Sequence, residues 1–223
     1  MATSPIQLQV QTVFGVRSKL ESSLAFVDEQ TIVYPAGNQF VLANVETKSQ
    51  QVFRCPELEH AEWISVDSGA AVLAIIWSRS TNDKNNIMIS FYDLHTNLGK
   101  RKRMFALGPA PMNIVSLAFS HDAKHMAIID GREGDYTISL WFWQKCRLIA
   151  SLKPGANDNM SGLTQVLFYP KDNNQMSVIG RRTSRLIRNV DGNLRIIPPS
   201  SKLDQYSFTC HCKKSTRKMS IDF

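Results

Sequence analysis

The sequence predicts an all-β protein built from about four four-stranded antiparallel blades, arranged as an incomplete β-propeller, and three observations carry that prediction. Short apolar runs alternate with polar knots rich in Gly, Asp, Asn and Ser along most of the chain. The runs fall into sets of four that recur every 40 to 50 residues or so, about the length of one blade. Large apolar residues stand at both odd and even positions of the best runs, so each sheet needs cover on two faces.

The first set spans about 20–56 and comprises Ser23-Leu-Ala-Phe-Val, Thr31-Ile-Val-Tyr, Phe40-Val-Leu-Ala-Asn and Gln51-Val-Phe-Arg. A second, about 61–108, contains Ala61-Glu-Trp-Ile-Ser-Val, Ala71-Val-Leu-Ala-Ile-Ile-Trp, Ile87-Met-Ile-Ser-Phe-Tyr-Asp and Arg103-Met-Phe-Ala-Leu. In the third, about 113–153, Val115, Leu117 and Phe119 alternate with smaller residues, and Met126-Ala-Ile-Ile follows after the turn Ser120-His-Asp-Ala-Lys. Thr137-Ile-Ser-Leu-Trp-Phe-Trp is its third strand, with Leu140 and Phe142 on one face and Trp141 and Trp143 on the other, and Cys146-Arg-Leu-Ile-Ala-Ser-Leu its fourth. The last set, about 163–199, holds Thr164-Gln-Val-Leu-Phe-Tyr, Gln175-Met-Ser-Val-Ile, Arg185-Leu-Ile-Arg and Leu194-Arg-Ile-Ile, with Asp191-Gly192 as a hairpin turn. Residues 1–199 thus read as one propeller region. Residues 200–223 read as a degenerate blade start, Gln205-Tyr-Ser-Phe-Thr-Cys, and a basic flexible tail from Lys213.

Bulk properties restrict the function classes. The chain has 223 residues, 43% of them hydrophobic and 20% charged, which suits an ordered globular protein rather than a disordered one. The start, Met1-Ala-Thr-Ser-Pro, has neither a basic n-region nor an apolar h-region, and no apolar run is long enough to span a bilayer, so the expectation is a chain that does not enter a membrane. Cys55, Cys146, Cys210 and Cys212 are too few and too unevenly spaced for a disulfide framework and read as free thiols. A net charge of +7 favours acidic partners, among them nucleic acid, anionic lipid and the acidic surfaces of cytoskeletal polymers.

Two levels of resemblance follow from particular residues. Leu117-Ala-Phe-Ser-His-Asp-Ala-Lys-His-Met-Ala is similar to the first hairpin of a WD-repeat blade, and Tyr92-Asp93 stands where the WD family's Trp-Asp pair closes the third strand. The other sets have Ala43-Asn44, Phe142-Trp143 and Arg188-Asn189 at that place, and none has the family's Gly-His pair. Phe14-Gly-Val-Arg-Ser, Phe26-Val-Asp-Glu-Gln-Thr-Ile-Val-Tyr-Pro-Ala-Gly-Asn, Lys100-Arg-Lys-Arg, Leu117-Ala-Phe-Ser and Phe168-Tyr-Pro-Lys-Asp-Asn-Asn-Gln together resemble the N-terminal WD-repeat region of the cilia- and flagella-associated protein fifty-seven family. That resemblance implies a non-enzymatic scaffold of the ciliary or flagellar axoneme, cytoplasmic before assembly, which partners inner dynein arm components and doublet microtubule-associated proteins. It also implies neighbouring propeller-forming or coiled-coil segments. Family members are much longer, so the chain is expected to be a fragment, a short isoform or a gene reading that runs past a splice site.

Residues that mimic reactive sites read better as structure. His121 and His125 are four apart, but in a turn and at a strand start rather than on a helix, so they read as turn histidines and no metal is expected. Asp122 reads as an Asx residue bonding its turn backbone. Cys210-His-Cys212 has no second ligand pair near it. Gly131-Arg-Glu-Gly134 precedes no helix that would supply an anion-binding N-terminus, and Asn159-Met-Ser161 lacks the secretory context of a glycosylation site. No serine elbow, phosphate loop or paired catalytic carboxylates appear, so no catalytic residue, cofactor or reaction is assigned. The basic run Lys100, Arg101, Lys102 and Arg103 is the candidate protein-interaction site, with a solvated connection or edge-strand guard as its plainer reading. The alternative function is a basic WD-repeat module that binds RNA or a ribonucleoprotein. Aromatics are not interleaved with these charges as in a base-stacking platform, which makes nucleic acid the poorer partner.

Overall fold

Hairpins set the architecture, and several of their turns need backbone that ordinary residues avoid. Asp191 and Gly192 both take positive φ, 52° and 78°, as a two-residue type I′ turn requires. In two other hairpins a single glycine takes positive φ, Gly37 (64°) and Gly134 (86°). The computed structural model describes residues 24–55, 61–67, 72–81, 84–109, 113–155, 160–170, 172–197 and 206–208, with residues 12 and 158. Phe14-Gly-Val-Arg-Ser, Asn159, Cys210-His-Cys212 and the tail from Lys213 lie outside the described residues.

Among the described residues sixteen strands form four antiparallel sheets of four, each in simple meander order. The first sheet comprises β1 (Ala25–Phe26), β2 (Thr31–Ala36), β3 (Gln39–Asn44) and β4 (Gln50–Arg54). The second comprises β5 (Ala61–Asp67), β6 (Val72–Thr81), β7 (Lys84–Asp93) and β8 (Arg101–Pro109). In the third are β9 (Ile114–Phe119), β10 (His125–Arg132), β11 (Asp135–Phe142) and β12 (Arg147–Leu152). In the fourth are β13 (Ser161–Tyr169), β14 (Asp172–Arg181), β15 (Thr183–Val190) and β16 (Asn193–Ile197). The repeated four-stranded meander is the propeller-blade unit the sequence predicts.

Several strands outrun their apolar cores. β6 continues to Thr81 and β7 starts at Lys84, and Arg79↔Asn86 and Ser80↔Asn85 pair through polar residues. Alternation in sequence reports burial, whereas backbone pairing continues to the turn, so polar hairpin ends escape a hydrophobic pattern. Trp143 departs from expectation in the other direction. β11 ends at Phe142, and Trp143–Lys145 form a 3-10 turn closed by Cys146 at φ 52°.

The chain divides into two compact units, Met1–Ala110 and Pro111–Phe223, each with two sheets. In the first unit, Val33, Phe40 and Leu42 of the first sheet pack with Ile64, Leu73, Ile75, Trp77 and Tyr92 of the second. Phe40 stacks on Phe53 at 5.0 Å and meets Tyr92 at 5.2 Å. In the second unit, Ala127, Ile129, Ile138 and Leu140 pack with Val166, Phe168, Met176 and Val178. Each such side chain contributes about 1.5–3 kcal/mol when fully buried, and a lone sheet would leave these residues wet. Sheet faces away from these seams are closed as well: Ala74, Ile76, Ile89 and Phe91 in the second sheet and Met126 and Ile128 in the third are almost wholly buried.

A candidate interaction surface at the β7–β8 turn

The site begins at the end of β7. Tyr92 points into the aromatic seam of the first unit, while the next residue, Asp93, is buried and organises the turn. Its Oδ1 accepts the backbone N–H groups of His95 (2.8 Å) and Thr96 (2.9 Å). Its backbone closes the loop: Asp93 N–H donates to the Lys100 carbonyl and the Gly99 N–H donates to the Asp93 carbonyl, both at 2.8 Å. Gly99 is required here for two reasons. Its φ is 76°, and a Cβ at this position would fall inside the Phe53 ring.

The basic run leaves this turn and enters β8, the edge strand of the second sheet. Lys100, Arg101, Lys102 and Arg103 are all exposed residues. They are not equivalent. The β7–β8 register jumps from Phe91↔Arg103 to Tyr92↔Arg101, so Lys102 is the extra residue of a β-bulge. Lys102 Nζ reaches Asp93 Oδ2 at 3.2 Å, a contact in which the carboxylate is 5% exposed. Burial pushes the Asp93 carboxyl up, but the His95 N–H, the Lys102 ammonium and the Thr96 N–H outweigh it and bring its pKa down to about 2. Arg101 lies over Met104, with NH1 3.9 Å from Sδ. Lys102 therefore ties the start of β8 to the turn through Asp93.

The bulge and cations also mark a guarded edge, since both discourage pairing with a foreign strand. Sequence alone could not locate the bulge, because register belongs to the pair of strands and not to either one.

The turn after β3 repeats this design. Asn44 Oδ1 accepts from Glu46 N (3.0 Å) and Thr47 N (2.8 Å), and Asn44 N donates to the Ser49 carbonyl. At the positions resembling the Trp-Asp pair, the first two sheets therefore preserve the capping oxygen of the second residue. The other two do not: Phe142-Trp143 leads into the 3-10 turn, and the Asn189 amide donates to Asn174 Oδ1 at 3.5 Å.

In the third sheet, Ser120, Asp122 and His125 gather at the β9–β10 turn. Ser120 Oγ donates to Asp122 Oδ1 (2.6 Å), Lys124 N donates to Asp122 Oδ1 (3.1 Å), and His125 N donates to Ser120 Oγ (2.9 Å). Trp143 Nε1 donates to the Ala123 carbonyl at 2.7 Å and seals the turn. Burial pushes the Asp122 carboxyl up, but the Ser120 hydroxyl and Lys124 N–H more than offset it and hold its pKa below the ordinary value. Asp122 lies between serine and histidine, with His125 Nδ1 3.6 Å from Asp122 Oδ1. That order ties the Ser120 proton to a carboxylate acceptor rather than to an imidazole base, an arrangement for holding a turn. The Asp122 role was legible in sequence. Its union with Trp143 was not, since Trp143 read as a strand residue. His121 is exposed in the turn, and Gly131-Arg-Glu-Gly134 forms the β10–β11 hairpin. Among the described residues no three of His, Cys, Asp and Glu come together as a metal-binding group.

Comparison with known proteins adds identity to this geometry. The chain is 27% identical over 196 residues to mouse cilia- and flagella-associated protein 57, a match covering 87% of the chain and 15% of that relative. It is 24% identical over 200 residues to cilia- and flagella-associated protein 57 C of Tetrahymena thermophila, covering 86% of the chain and 15% of the relative. Cilia- and flagella-associated protein 43 of Xenopus laevis matches at 24% over 183 residues, 82% of the chain and 10% of the relative. The chain thus spans about one seventh of the length of the first two curated relatives. No family model matches it. Among solved structures, KlHsv2 with loop 6CD replaced by a Gly-Ser linker aligns at TM-score 0.49 and 13% identity, over 81% of this chain and 72% of that one. The architecture above rests on the strand pairings themselves. Over more than four fifths of its length the chain is thus similar to cilia- and flagella-associated protein 57 of two organisms, in keeping with the residues quoted from its own sequence.

Proposed function

We propose that the chain serves as a non-enzymatic protein-binding scaffold of the ciliary or flagellar axoneme, working through shape and charge complementarity on rigid sheets. The observation that carries this reading is the similarity of more than four fifths of the chain to proteins named for cilia and flagella. Residues 1–199 act as a WD-type propeller region in this reading, and 200–223 as its tail. The proposed partners are inner dynein arm components and doublet microtubule-associated proteins, met at the axoneme after synthesis in the cytoplasm. Lys100, Arg101, Lys102 and Arg103 mark the proposed contact, with Lys102 serving it from within the turn.

The basic run favours protein over RNA. Phe91 and Tyr92 beside it are buried, and Phe105 stacks on Phe91 at 5.8 Å, so these rings form core rather than a platform for bases.

The test is an immunoblot of purified axonemes beside whole-cell lysate, using an antibody raised against this chain. Enrichment in axonemes is the expected result. A signal confined to the soluble cell body would overturn the proposal.

A further inference from the structure

We infer that two copies of this chain bind head to tail, the outer face of the fourth sheet of one copy, around Arg188 and Arg195, resting on the outer face of the first sheet of the next, around Phe26, Glu29 and Glu46.

The fourth sheet supplies one half of the contact. Its inner face, with Val166, Phe168, Met176, Val178 and Ile187, packs with the third sheet. Alternation sends the neighbouring residues to the other side, where the register aligns Ser177↔Leu186↔Ile197 and Gln175↔Arg188↔Arg195. Leu186 and Ile197 are only partly buried there, and Gln175, Arg188 and Arg195 are exposed. Two arginines thus stand directly opposite each other on paired strands, which costs stability unless anions lie close. Asp172 Oδ2 is 3.8 Å from Arg188 NH2, so one carboxylate answers two guanidinium groups. Phe208 bonds to the far end of the sheet, where its N–H donates to the Gly180 carbonyl and its carbonyl accepts from Thr164 Oγ1.

The first sheet supplies the complement. Ala25 and Val27 pack toward the second sheet, so Phe26 between them points the other way, to the side of Ile32, Tyr34, Val41 and Ala43. Tyr34, Val41 and Ala43 are buried, whereas Phe26 is 61% exposed at its end of that face. Beside it the β1–β2 turn and the turn after β3 lie together, with Val45 N donating to the Gln30 carbonyl at 2.8 Å. These turns carry Asp28, Glu29 and Glu46, all exposed, against Lys48. One sheet therefore offers an apolar row beside arginines, and the other an apolar ring beside carboxylates. Guanidinium groups take carboxylates in bidentate pairs, which fixes orientation as well as affinity.

The chain already contains the packing step this contact would repeat. Where the third and fourth sheets meet, their corresponding turns come together, and Asp122 N of the β9–β10 turn donates to Asn173 Oδ1 at the start of β14, at 3.4 Å. The same step from a fourth sheet to the first sheet of another copy sets the β1–β2 and β3–β4 turns beside the β13–β14 and β15–β16 turns. Arg188 and Arg195 lie at that end, next to the Asp191-Gly192 turn. The two faces differ, so the interface is heterologous and each half can be disabled separately.

The experiment is sedimentation velocity of the full chain over a range of concentrations at about 0.15 M salt, where the repulsion from its net charge of +7 is screened beyond roughly 8 Å. Thermal unfolding is recorded for every variant. The wild-type mass should rise with concentration to at least that of two chains. Phe26→Lys, and separately Arg188→Glu with Arg195→Glu, should each stay at the mass of one chain with an unfolding temperature close to wild type. Mixed in equal amounts, these two variants should form a complex of two chains and no larger, because each keeps the half that the other has lost. Glu29→Lys with Glu46→Lys disrupts the first-sheet half by charge alone and should weaken association by about tenfold. The inference is overturned if the wild type keeps the mass of one chain throughout, if either blocked variant associates like the wild type, or if their mixture forms no complex of two chains. None of these outcomes bears on axonemal enrichment, so the ciliary reading stands or falls separately.

Discussion

The third strands of the two units leave their sheets in different ways. In the first unit β3 and β7 end on Asn44 and Asp93, whose side-chain oxygens each collect two backbone N–H groups of the turn that follows. In the second unit β11 runs into a 3-10 turn sealed by Trp143, and β15 turns on the two positive-φ residues Asp191 and Gly192. One unit therefore stores the turn in side-chain chemistry, and the other stores it in backbone conformation. The position that resembles a WD dipeptide keeps its capping oxygen only where the connection is long enough to leave N–H groups unpaired. A two-residue hairpin leaves none to cap.

The largest expected effect is at Gly99. Gly99→Ala must both hold φ at 76° and displace Phe53 from its stack on Phe40, for a loss of about 3 kcal/mol in urea unfolding. Gly134→Ala is the control in the second unit, where φ is 86° and nothing lies within 4 Å of the new methyl, and about 1 kcal/mol is expected. Equal losses would show that the Phe53 contact is not what Gly99 provides.

Asp93→Ala comes next. It removes two caps and strands the Lys102 ammonium, costing about 2–3 kcal/mol. Asn44→Ala, which loses the same two caps without a charge, should cost about 1 kcal/mol. If the two variants unfold at the same urea concentration, the ion pair adds nothing to the turn.

Acid separates Asp93 from Asp130 by sign. The folded pKa of Asp93, about 2, lies below the ordinary carboxyl value of 3.8, so its stabilisation is fully present above the unfolded pKa and is lost as pH falls through the folded one. That contribution is on the order of 1–2 kcal/mol after allowing for the solvent at the turn's rim, and it should vanish from the acid limb of Asp93→Asn. Asp130 behaves in the opposite way. Burial and the nearby Asp135 carboxylate push its pKa up, so the folded state favours the protonated form, and that preference is lost as pH rises through the raised value. Asp130→Asn should therefore stabilise the protein near neutral pH by about 0.5 kcal/mol, the smallest change expected. Destabilisation at neutral pH would mean that the Asp130 carboxylate has a favourable charged partner.

The fold was largely legible because period-two burial and turn residues agree in each of the four sets. Val33, Leu73, Ile129 and Val178 are apolar in sequence and buried in the structure for the same reason. The polar hairpin ends of β6 and β7 were not legible, since the backbone pairing of Arg79 with Asn86 continues past the last apolar residue of either strand. The candidate site was half legible. Contiguous charge at Lys100, Arg101, Lys102 and Arg103 is visible in any window, but the contact of Lys102 with Asp93 depends on a bulge that exists only once β7 and β8 have paired. The Ser120, Asp122 and Trp143 lock likewise joins residues more than twenty positions apart through a turn that the strand pattern had absorbed.

The most direct measurement is salt extraction of axonemes from ciliated cells that express tagged forms of the chain, with the retained fraction read by immunoblot at rising salt. The wild-type chain should be retained at low salt and released as salt rises. The Arg101→Glu, Arg103→Glu form should already be soluble at low salt. Retention of that form at the wild-type level, or failure of every form to enter axonemes, would contradict a ciliary scaffold that docks through the β8 edge.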